Sequence, residues 1–242
     1  MKQIAISVIH WVFGYILYVI AGSLLLITTF LPIEILRYRM ASTMCRVILW
    51  ALGARLKVVG TYPMDQPYIF MANHASFIDM FVLGAILKGK FTGVMAEEQL
   101  KYPFWRLILR RFQVIPIRRG DRDAAITAIQ VAEDRLQRGF QVGILPEGTR
   151  TINGKLGPLK KGGFHMALNT GAPILTIGIE GAFDFKPKTS WLLHPGPVTV
   201  HIGEPIPAER YRQMNIEEAM EEVRRNLLVL TGEVQPDYYD VR

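Results

Sequence analysis

The chain has 242 residues, of which 50% are hydrophobic, and 28 Lys and Arg against 21 Asp and Glu give a net charge of +7. A chain of this length can bury a full core unaided, and about 150 residues per domain allows one domain with an appendage. The single cysteine, Cys45, excludes an internal disulfide and a cysteine-based metal site. These features exclude a disordered chain, a disulfide-rich secreted scaffold and a zinc finger. Basic charge combined with high hydrophobicity favours a membrane surface or a small anionic ligand over nucleic acid.

The N-terminus is strongly apolar, with no Asp, Glu, Lys or Arg from Gln3 to Ile33. About 20 apolar residues suffice for a helix to cross a bilayer core, so this block is long enough to span one. A signal peptide is the alternative, but its apolar region covers only about 7–15 residues. No Ala-x-Ala cleavage site follows the block either. The sequence therefore predicts a membrane-associated helix, which either spans the bilayer or lies within one leaflet.

A second apolar block runs from Met40 to Ala54 and carries one charge, Arg46. At about 15 residues it favours an interfacial or re-entrant helix over a second span, so residues 1–54 are predicted to form a membrane-associated helical hairpin. Basic residues between and after the blocks place the rest of the chain on the cytoplasmic side by the positive-inside tendency. The aromatic residues of this segment either anchor it at the interface or pack between its two helices. They include Trp11, Tyr15, Tyr18 and Trp50.

From residue 55 onward, short β-rich runs alternate with helical patterns. Apolar residues repeat at helical spacing over Asp121–Arg138 and Asn215–Thr231, and each segment begins with a residue that can cap a helix. Asn215 and Glu218 have the spacing of a capping box. The alternation predicts an α/β domain over 55–242, with a mixed, largely parallel sheet flanked by helices. The predicted strands are Leu56–Gly60, Tyr68–Ala72, Phe91–Ala96, Val114–Ile117, Gln141–Leu145, Ile174–Ile179 and Val198–Ile202.

The segment 73–79, Asn-His-Ala-Ser-Phe-Ile-Asp, directly follows the second predicted strand. A histidine and an aspartate five residues apart can meet if the strand-to-helix turn folds back. Asp79 would then accept a hydrogen bond from His74 and fix its tautomer, leaving the other ring nitrogen as a general base. The alternative is a capping aspartate beside a surface histidine. A serine nucleophile and a metal site are not favoured, since no Gly-x-Ser-x-Gly occurs and the other histidines are scattered.

Basic residues follow two further predicted strands. Arg119 comes after the fourth strand, and Arg150 ends the segment 145–150, Leu-Pro-Glu-Gly-Thr-Arg. The arginine fork matches phosphate oxygens, so arginines at the ends of separate strands can converge on one anion. Lys160 and Lys161, followed by two glycines, add charge and backbone amides that could open a helix. Each of these alone is typical of a solvated surface, but their repeated position at strand ends favours an anion site.

Four segments occur in order along the chain: Asn73-His74-x4-Asp79, Ile115-x3-Arg119, Pro146-Glu147-Gly148-Thr149-Arg150 and Ala172-Pro173-Ile174. In this order they resemble the four motifs of the glycerolipid acyltransferases, and most of all the bacterial 1-acyl-sn-glycerol-3-phosphate (lysophosphatidic acid) acyltransferase branch. The resemblance covers residues 55 to 205. The family often has an acidic residue directly before the second-motif arginine, where this chain has Arg118.

The resemblance implies that His74 and Asp79 are catalytic. His74 would remove the proton from the free glycerol hydroxyl of the acceptor, and the oxygen would attack an acyl thioester of coenzyme A or acyl carrier protein. Positioning and oxyanion stabilisation would supply the rest of the rate enhancement. Substrate-binding roles at the phosphate end are implied for Asn73, Arg119, Glu147, Gly148, Thr149 and Arg150, with further phosphate or carrier contacts from Lys160 and Lys161.

The resemblance also implies which partners to expect. They are a lysophospholipid acceptor, an acyl thioester donor and the membrane, with neither a metal, a bound cofactor nor a nucleic acid. The implied location is the inner (cytoplasmic) membrane, with the catalytic domain facing the cytoplasm. The oligomeric state stays open.

Three alternatives stay open from the sequence. One is an acyltransferase with another lysophospholipid or a lyso-aminolipid as acceptor, although the arginines favour a phosphate. The second is a membrane-attached esterase or thioesterase, which the absence of a nucleophile elbow disfavours. The third is a non-catalytic lipid-binding protein, which would leave the pairing of His74 with Asp79 unexplained.

Overall fold

The structure is a computed structural model that describes residues 1–28, 30, 33–118 and 120–235. In this part of the chain, two long N-terminal helices precede an α/β domain built on a seven-stranded sheet. The helices are α1 (Lys2–Thr28), α2 (Glu34–Ala51), α3 (Asp79–Ile86), α4 (Pro103–Arg111), α5 (Arg122–Gln137), α6 (Lys161–Thr170), α7 (Ala182–Phe185), α8 (Ala208–Tyr211) and α9 (Ile216–Leu230), with a short 3-10 helix at Glu97–Lys101. The strands are β1 (Ala54–Val59), β2 (Ile69–Ala72), β3 (Lys90–Ala96), β4 (Ile115–Ile117), β5 (Phe140–Ile144), β6 (Ile174–Glu180) and β7 (Gly196–Ile206).

The strand order is β1-β7-β6-β2-β5-β3-β4, and every neighbouring pair is parallel except β6–β7. The predicted mixed, largely parallel sheet is therefore confirmed. Because β6, β2, β5, β3 and β4 run in one direction, their carboxyl ends meet at the same edge of the sheet. Loops that follow such strands form the crevice in which open α/β sheets bind ligands.

Helices cover both faces of the sheet, and β2 shows how the sequence assigns residues to each face. Ile69 and Met71 pack with residues of α5, α6 and α9, whereas Phe70 and Ala72 pack with residues of α2 and α3. This period of two is what a pleated strand imposes, and burial on both faces explains the continuous apolar run.

The two predicted helix starts are confirmed. The Asp121 side chain caps α5 by accepting a bond of 3.0 Å from the Ala124 amide. Asn215 and Glu218 form a reciprocal capping box at the start of α9. Both caps satisfy amides that have no partner within the helix.

The α1 helix is long and apolar enough to cross a membrane, and it is the one described helix with this property. Its buried residues are Ser7, Gly14, Ala21 and Thr28, small side chains seven residues apart that let the helix approach its neighbours closely. In the most apolar 18-residue stretch of α1, only 17% of the residues are buried, and many large apolar side chains of α1 are exposed. The core helix of a soluble protein would be mostly buried, so this exposure favours membrane association.

The second helix begins at Glu34, earlier than the predicted apolar block at Met40. It contacts α1, α3 and β1, and it buries Tyr38 and Leu49. Charges near its start interrupt the apolar pattern without ending the helix, and the Arg37 side chain donates to the Arg111 carbonyl.

The aromatic residues of the N-terminal helices are predicted either to anchor the segment at the membrane interface or to pack between the two helices. The ring centres of Trp50 and Phe13 lie 5.7 Å apart, so Trp50 of α2 contacts α1 while its side chain stays largely exposed. Both alternatives stay open for Trp50. The ring centre of Trp11 lies 5.2 Å from that of Phe77, and Trp11 Nε1 donates to the Trp191 carbonyl. These contacts match neither alternative, because they lie outside the two N-terminal helices. Both partners of Trp11 belong to the α/β domain, which ties α1 to that domain.

We expect Gly178→Ala to destabilise the fold by about 1–3 kcal/mol, because it overpacks a backbone contact. A Cβ on Gly178 in β6 would lie 2.6 Å from the backbone of Leu230, so the end of α9 would have to move. Gly162→Ala in α6 is the control, since a Cβ there meets nothing within 4 Å. Thermal unfolding in detergent checks the difference, and equal melting temperatures for the two variants would contradict this account of the packing.

Candidate active site

The loop after the central strand β2 is tied to β6. The Asn73 amide nitrogen donates to the Ile179 carbonyl at 2.9 Å, and its oxygen accepts from the Ile179 amide at 2.7 Å. Asn73 is only 7% exposed. Its hydrogen-bonding groups are thus occupied by the backbone of β6, which differs from the predicted contact with substrate.

The His74 and Asp79 side chains are in direct contact, as the spacing predicts. His74 Nδ1 lies 2.8 Å from Asp79 Oδ2, which also accepts from the amides of Ala75 and Ser76 at 2.8 Å each. Asp79 begins α3 and is fully buried, while the His74 side chain is 24% exposed. Burial raises the pKa of the Asp79 carboxyl, and the bonds from His74, Ser76 and Ala75 oppose that rise.

This geometry can hold an imidazole ready as a base. With Nδ1–H donated to Asp79, His74 Nε2 carries the lone pair and is the atom left for a substrate proton. Ser76 is not placed as a nucleophile, because it is fully buried and its hydroxyl donates to the Lys186 carbonyl at 2.8 Å.

Glu147 joins the His74 loop to the loop after β5. One carboxylate oxygen accepts from the His74 amide at 2.6 Å, and the other accepts from the Gly157 amide at 2.8 Å. Glu147 is 4% exposed, and burial raises its pKa against the opposing effect of the two amide bonds. Each oxygen accepts a hydrogen bond from a backbone amide, so the carboxylate holds the two loops together. A substrate contact by Glu147 stays a prediction.

The turn after Glu147 is shaped by Gly148, which adopts a left-handed φ of +67°. Beyond the turn, the Thr151 amide donates to the His74 carbonyl at 2.9 Å, so Thr149 and Arg150 lie in a loop fixed at both ends to the His74 loop. The Lys160 side chain covers the turn, since a Cβ on Gly148 would lie 3.1 Å from it. Thr149 and Arg150 therefore lie in a loop that contacts the His74 loop, and Lys160 lies beside Gly148 of that loop.

Another predicted basic residue, Lys161, is paired with α9. Lys161 begins α6, as its glycine-rich context predicts, but its Nζ forms an ion pair of 2.5 Å with Glu217 of α9. Arg119 lies outside the described residues. Its neighbour Arg118 pairs with Glu97 and Asp121 at the end of β4, three strands from β2 and so roughly 14 Å away at the ordinary strand spacing.

Apolar space adjoins the His74 loop. A cleft of about 540 Å³ lies among α1, α3 and α4 and is lined by aromatic side chains, and a second apolar cavity of about 240 Å³ continues between α2, α3 and the sheet. Phe77, from the loop that holds His74, lines the cleft, and Met80 and Phe81 line both spaces. Volumes of this kind accommodate an apolar chain. Lining residues of the cleft also include Trp11, Tyr15, Tyr18, Tyr102 and Trp105.

A model of the Acyltransferase family matches residues 55–180, more than half of the chain. The chain belongs to the Acyltransferase family. The matched region starts directly after the two N-terminal helices, ends with β6, and contains both the His74–Asp79 pair and the Glu147 loop. The family predicted from the four motifs is therefore confirmed.

Several curated proteins of this acyltransferase family are similar to the chain. It is 30% identical over 193 residues to 1-acyl-sn-glycerol-3-phosphate acyltransferase alpha of Bos taurus, covering 78% of this chain and 67% of that protein. It is 31% identical over 180 residues to the 1-acyl-sn-glycerol-3-phosphate acyltransferase of Pseudomonas aeruginosa, covering 72% and 69%. The protein of that name from Cocos nucifera is 32% identical over 73% of this chain, which spans 58% of that relative's length.

A solved structure has the same fold as this acyltransferase. The crystal structure titled 1-acyl-sn-glycerophosphate (LPA) acyltransferase, PlsC, from Thermotoga maritima matches with a TM-score of 0.80 at 22% sequence identity. The match covers 97% of this chain and 98% of that one, so it includes the N-terminal helices.

Two basic residues that the motifs do not include also lie near the site of this family member. Lys186 and Lys188 follow α7, and neither belongs to a motif. Lys186 contacts Ser76 of the His74 loop, and Lys188 contacts Thr149 of the loop after β5. Their position depends on contacts more than 35 residues apart, and no local pattern signals it. Groups of three or more His, Cys, Asp or Glu side chains that could hold a metal do not occur among the described residues.

Proposed function

We propose that this protein transfers a fatty acyl group from an acyl thioester to the free hydroxyl of 1-acyl-sn-glycerol 3-phosphate, giving phosphatidic acid. The observation that carries the proposal is the His74–Asp79 pair, whose loop lines an apolar cleft through Phe77 and contacts the loop of Arg150. Arg150 forms no ion pair within the described part of the chain. A lysophosphatidic acid has a phosphate, a free hydroxyl and an acyl chain. The basic side chains suit the phosphate, the His74–Asp79 pair suits the hydroxyl, and the apolar cleft suits the acyl chain. The relatives with this activity in their names support the same substrate.

In the proposed reaction, His74 Nε2 takes the proton of the acceptor hydroxyl while Asp79 holds the imidazolium through Nδ1. The hydroxyl oxygen attacks the thioester carbonyl, the C–S bond breaks, and the thiolate leaves and receives the proton from His74. Base catalysis of this kind contributes about 10²- to 10⁴-fold, and positioning and oxyanion stabilisation contribute the rest. The donor is either acyl-CoA or an acyl carrier protein, and the step needs no metal or bound cofactor.

At the phosphate end, we assign binding roles to Gly148, Thr149, Arg150, Lys160 and Arg119. Arginine and lysine donors there, with the amides of a glycine turn, suit phosphate oxygens. Asn73 and Glu147 become positioning residues, because their polar atoms are bonded to the backbone of Ile179, His74 and Gly157. Lys161 is left out of the site because Glu217 neutralises its charge.

We also propose that residues 1–54 attach the catalytic domain, 55–242, to the inner (cytoplasmic) membrane with the domain facing the cytoplasm. The exposed apolar surface of α1 supports attachment, and the arginines after α1 support the orientation. Acceptor and product are both lipids, so a site beside the membrane would meet them there.

The choice of acceptor is tested with purified protein in detergent and a long-chain acyl thioester. We expect 1-acyl-sn-glycerol 3-phosphate to be acylated at least about 10-fold faster than monoacylglycerol of the same chain length, because only the former offers charge-assisted bonds to the basic residues. Acylated lipids are measured by mass spectrometry. A faster reaction with a lysophospholipid of another head group, or with a lyso-aminolipid, would replace the proposed acceptor while keeping the reaction class.

A further inference from the structure

The loop after α7 brings a lysine to the His74 loop. The Lys186 carbonyl accepts the bond from buried Ser76, and its Nζ lies 5.6 Å from the centre of the Phe77 ring. Ser76 and Phe77 are the second and third residues after His74. The half-buried Lys186 is therefore held against the segment that carries the proposed base.

The loop after α7 also contacts the loop after β5, which contains Glu147 and Arg150. Lys188 Nζ donates to the Thr149 hydroxyl at 3.2 Å, and Lys186 is close enough to Arg150 for the two charges to repel. Loss of hydration and the nearby charge of Arg150 lower the pKa of Lys186. Lys186 and Arg150 thus belong to two loops that contact each other, and each of these loops also contacts the segment that carries His74.

These positive charges lack a negative partner in the part of the chain that the structure describes. None of its ion pairs involves Arg150, Lys186 or Lys188. The Lys186 ammonium donates to the neutral carbonyl of Pro187 at 3.1 Å. Of the nearby carboxylates, Glu147 accepts backbone amide bonds on both oxygens. Buried Asp79 is bonded to His74 through Oδ2, and its Oδ1 has no hydrogen-bond partner among the described residues. Partly desolvated cations that repel one another are stabilised when an anion binds between them.

We infer that Lys186 binds a phosphate group of a substrate together with Arg150, and so is a binding residue outside the four motifs. The inference deepens the proposed function, on which it rests for the identity of the substrate. The phosphate belongs either to the lysophosphatidic acid acceptor or to coenzyme A, since both carry one. Phe77 and Ser76 hold Lys186 in place, which limits the entropy lost when the phosphate binds.

Calorimetric titration of the full chain in detergent tests the inference without requiring turnover. The titrants are 1-hexanoyl-glycerol 3-phosphate and coenzyme A, with 1-hexanoylglycerol as the phosphate-free control. We expect Lys186→Met to lower the affinity for one of the two phosphate-containing titrants by about 10- to 100-fold, the usual effect of losing a charge-assisted hydrogen bond. Lys186→Arg keeps most of that affinity. Lys88→Met is the matched control, because Lys88 is exposed near the start of β3, at the opposite edge of the sheet.

The titrant that weakens identifies the source of the phosphate, and the Michaelis constant of that same substrate is expected to rise with it. Lys186→Gln is measured beside Lys186→Met, and thermal unfolding identifies any variant that does not fold. Wild-type affinity for both titrants in the folded variants, or no binding of either titrant to the wild-type protein, would overturn the inference. Weakened binding in a protein that forms no phosphatidic acid would overturn the proposed function and leave the inference standing.

Discussion

His74→Ala is expected to lower the rate of acyl transfer by about 10²- to 10⁴-fold. It is also expected to destabilise the protein by about 1–3 kcal/mol, because the buried Asp79 carboxylate loses a hydrogen bond. The imidazole is the group placed to take the hydroxyl proton, and Asp79 fixes the tautomer that leaves Nε2 free. The rate constant for product formation at saturating substrates, measured by mass spectrometry, checks this expectation. Asp79→Asn is expected to lower the same constant, since the bond from Nδ1–H loses its carboxylate acceptor.

The matched control for His74→Ala is His165→Ala. His165 is exposed on α6, and its side chain makes none of the site's contacts. Unchanged turnover in His74→Ala would remove this residue as the base. Equal losses in both variants would indicate a general effect of replacing histidine.

Glu147→Gln is expected to destabilise the protein by about 1–3 kcal/mol and to lower turnover on the order of 10²-fold. The buried carboxylate accepts one amide bond on each oxygen, from His74 and from Gly157. A glutamine keeps one acceptor and points an NH₂ group at the other amide, so one buried donor loses its partner. The His74 loop then loses its link to the β5 loop, and the base is displaced from its substrate.

Thermal unfolding and steady-state kinetics measure the two effects of Glu147→Gln. Glu221→Gln, an exposed position on α9, is the control with the same chemical change. A Glu147→Gln protein that melts and turns over like the wild type would contradict the positioning role. A raised Michaelis constant for the acceptor with normal stability would instead restore the direct substrate contact that the motif implies.

The parts of the site that could be predicted from the sequence are those set by local spacing. His74 and Asp79 are five residues apart, and one turn brings them together. The contact between Glu147 and the His74 amide joins residues 73 apart, and its acceptor role could not be distinguished from a substrate contact by motif alone. Lys186 depends on the path of the chain after β6 in the same way, and so escaped prediction.

The fold was predictable for a similar reason. Each predicted run contains a strand. In the central strands β2 and β5, burial on both faces leaves a run without charged residues. The edge strand β1 is mostly exposed and carries Arg55 and Lys57. The apolar block begins six residues after the start of α2, because Glu34, Arg37 and Arg39 break the apolar pattern in the first turns of the helix. The docking of Trp11 on Phe77 joins the N-terminal helix to the α/β domain, and such a long-range contact has no local signature.

The identity of the product tests the central claim most directly. Purified wild-type protein is incubated with lysophosphatidic acid and a long-chain acyl thioester, and lipids and free thiol are measured together. The account predicts phosphatidic acid in amounts equal to the thiol released, because the acyl group passes to the acceptor hydroxyl. Release of thiol with free fatty acid and no acylated lipid would contradict it and indicate a thioesterase.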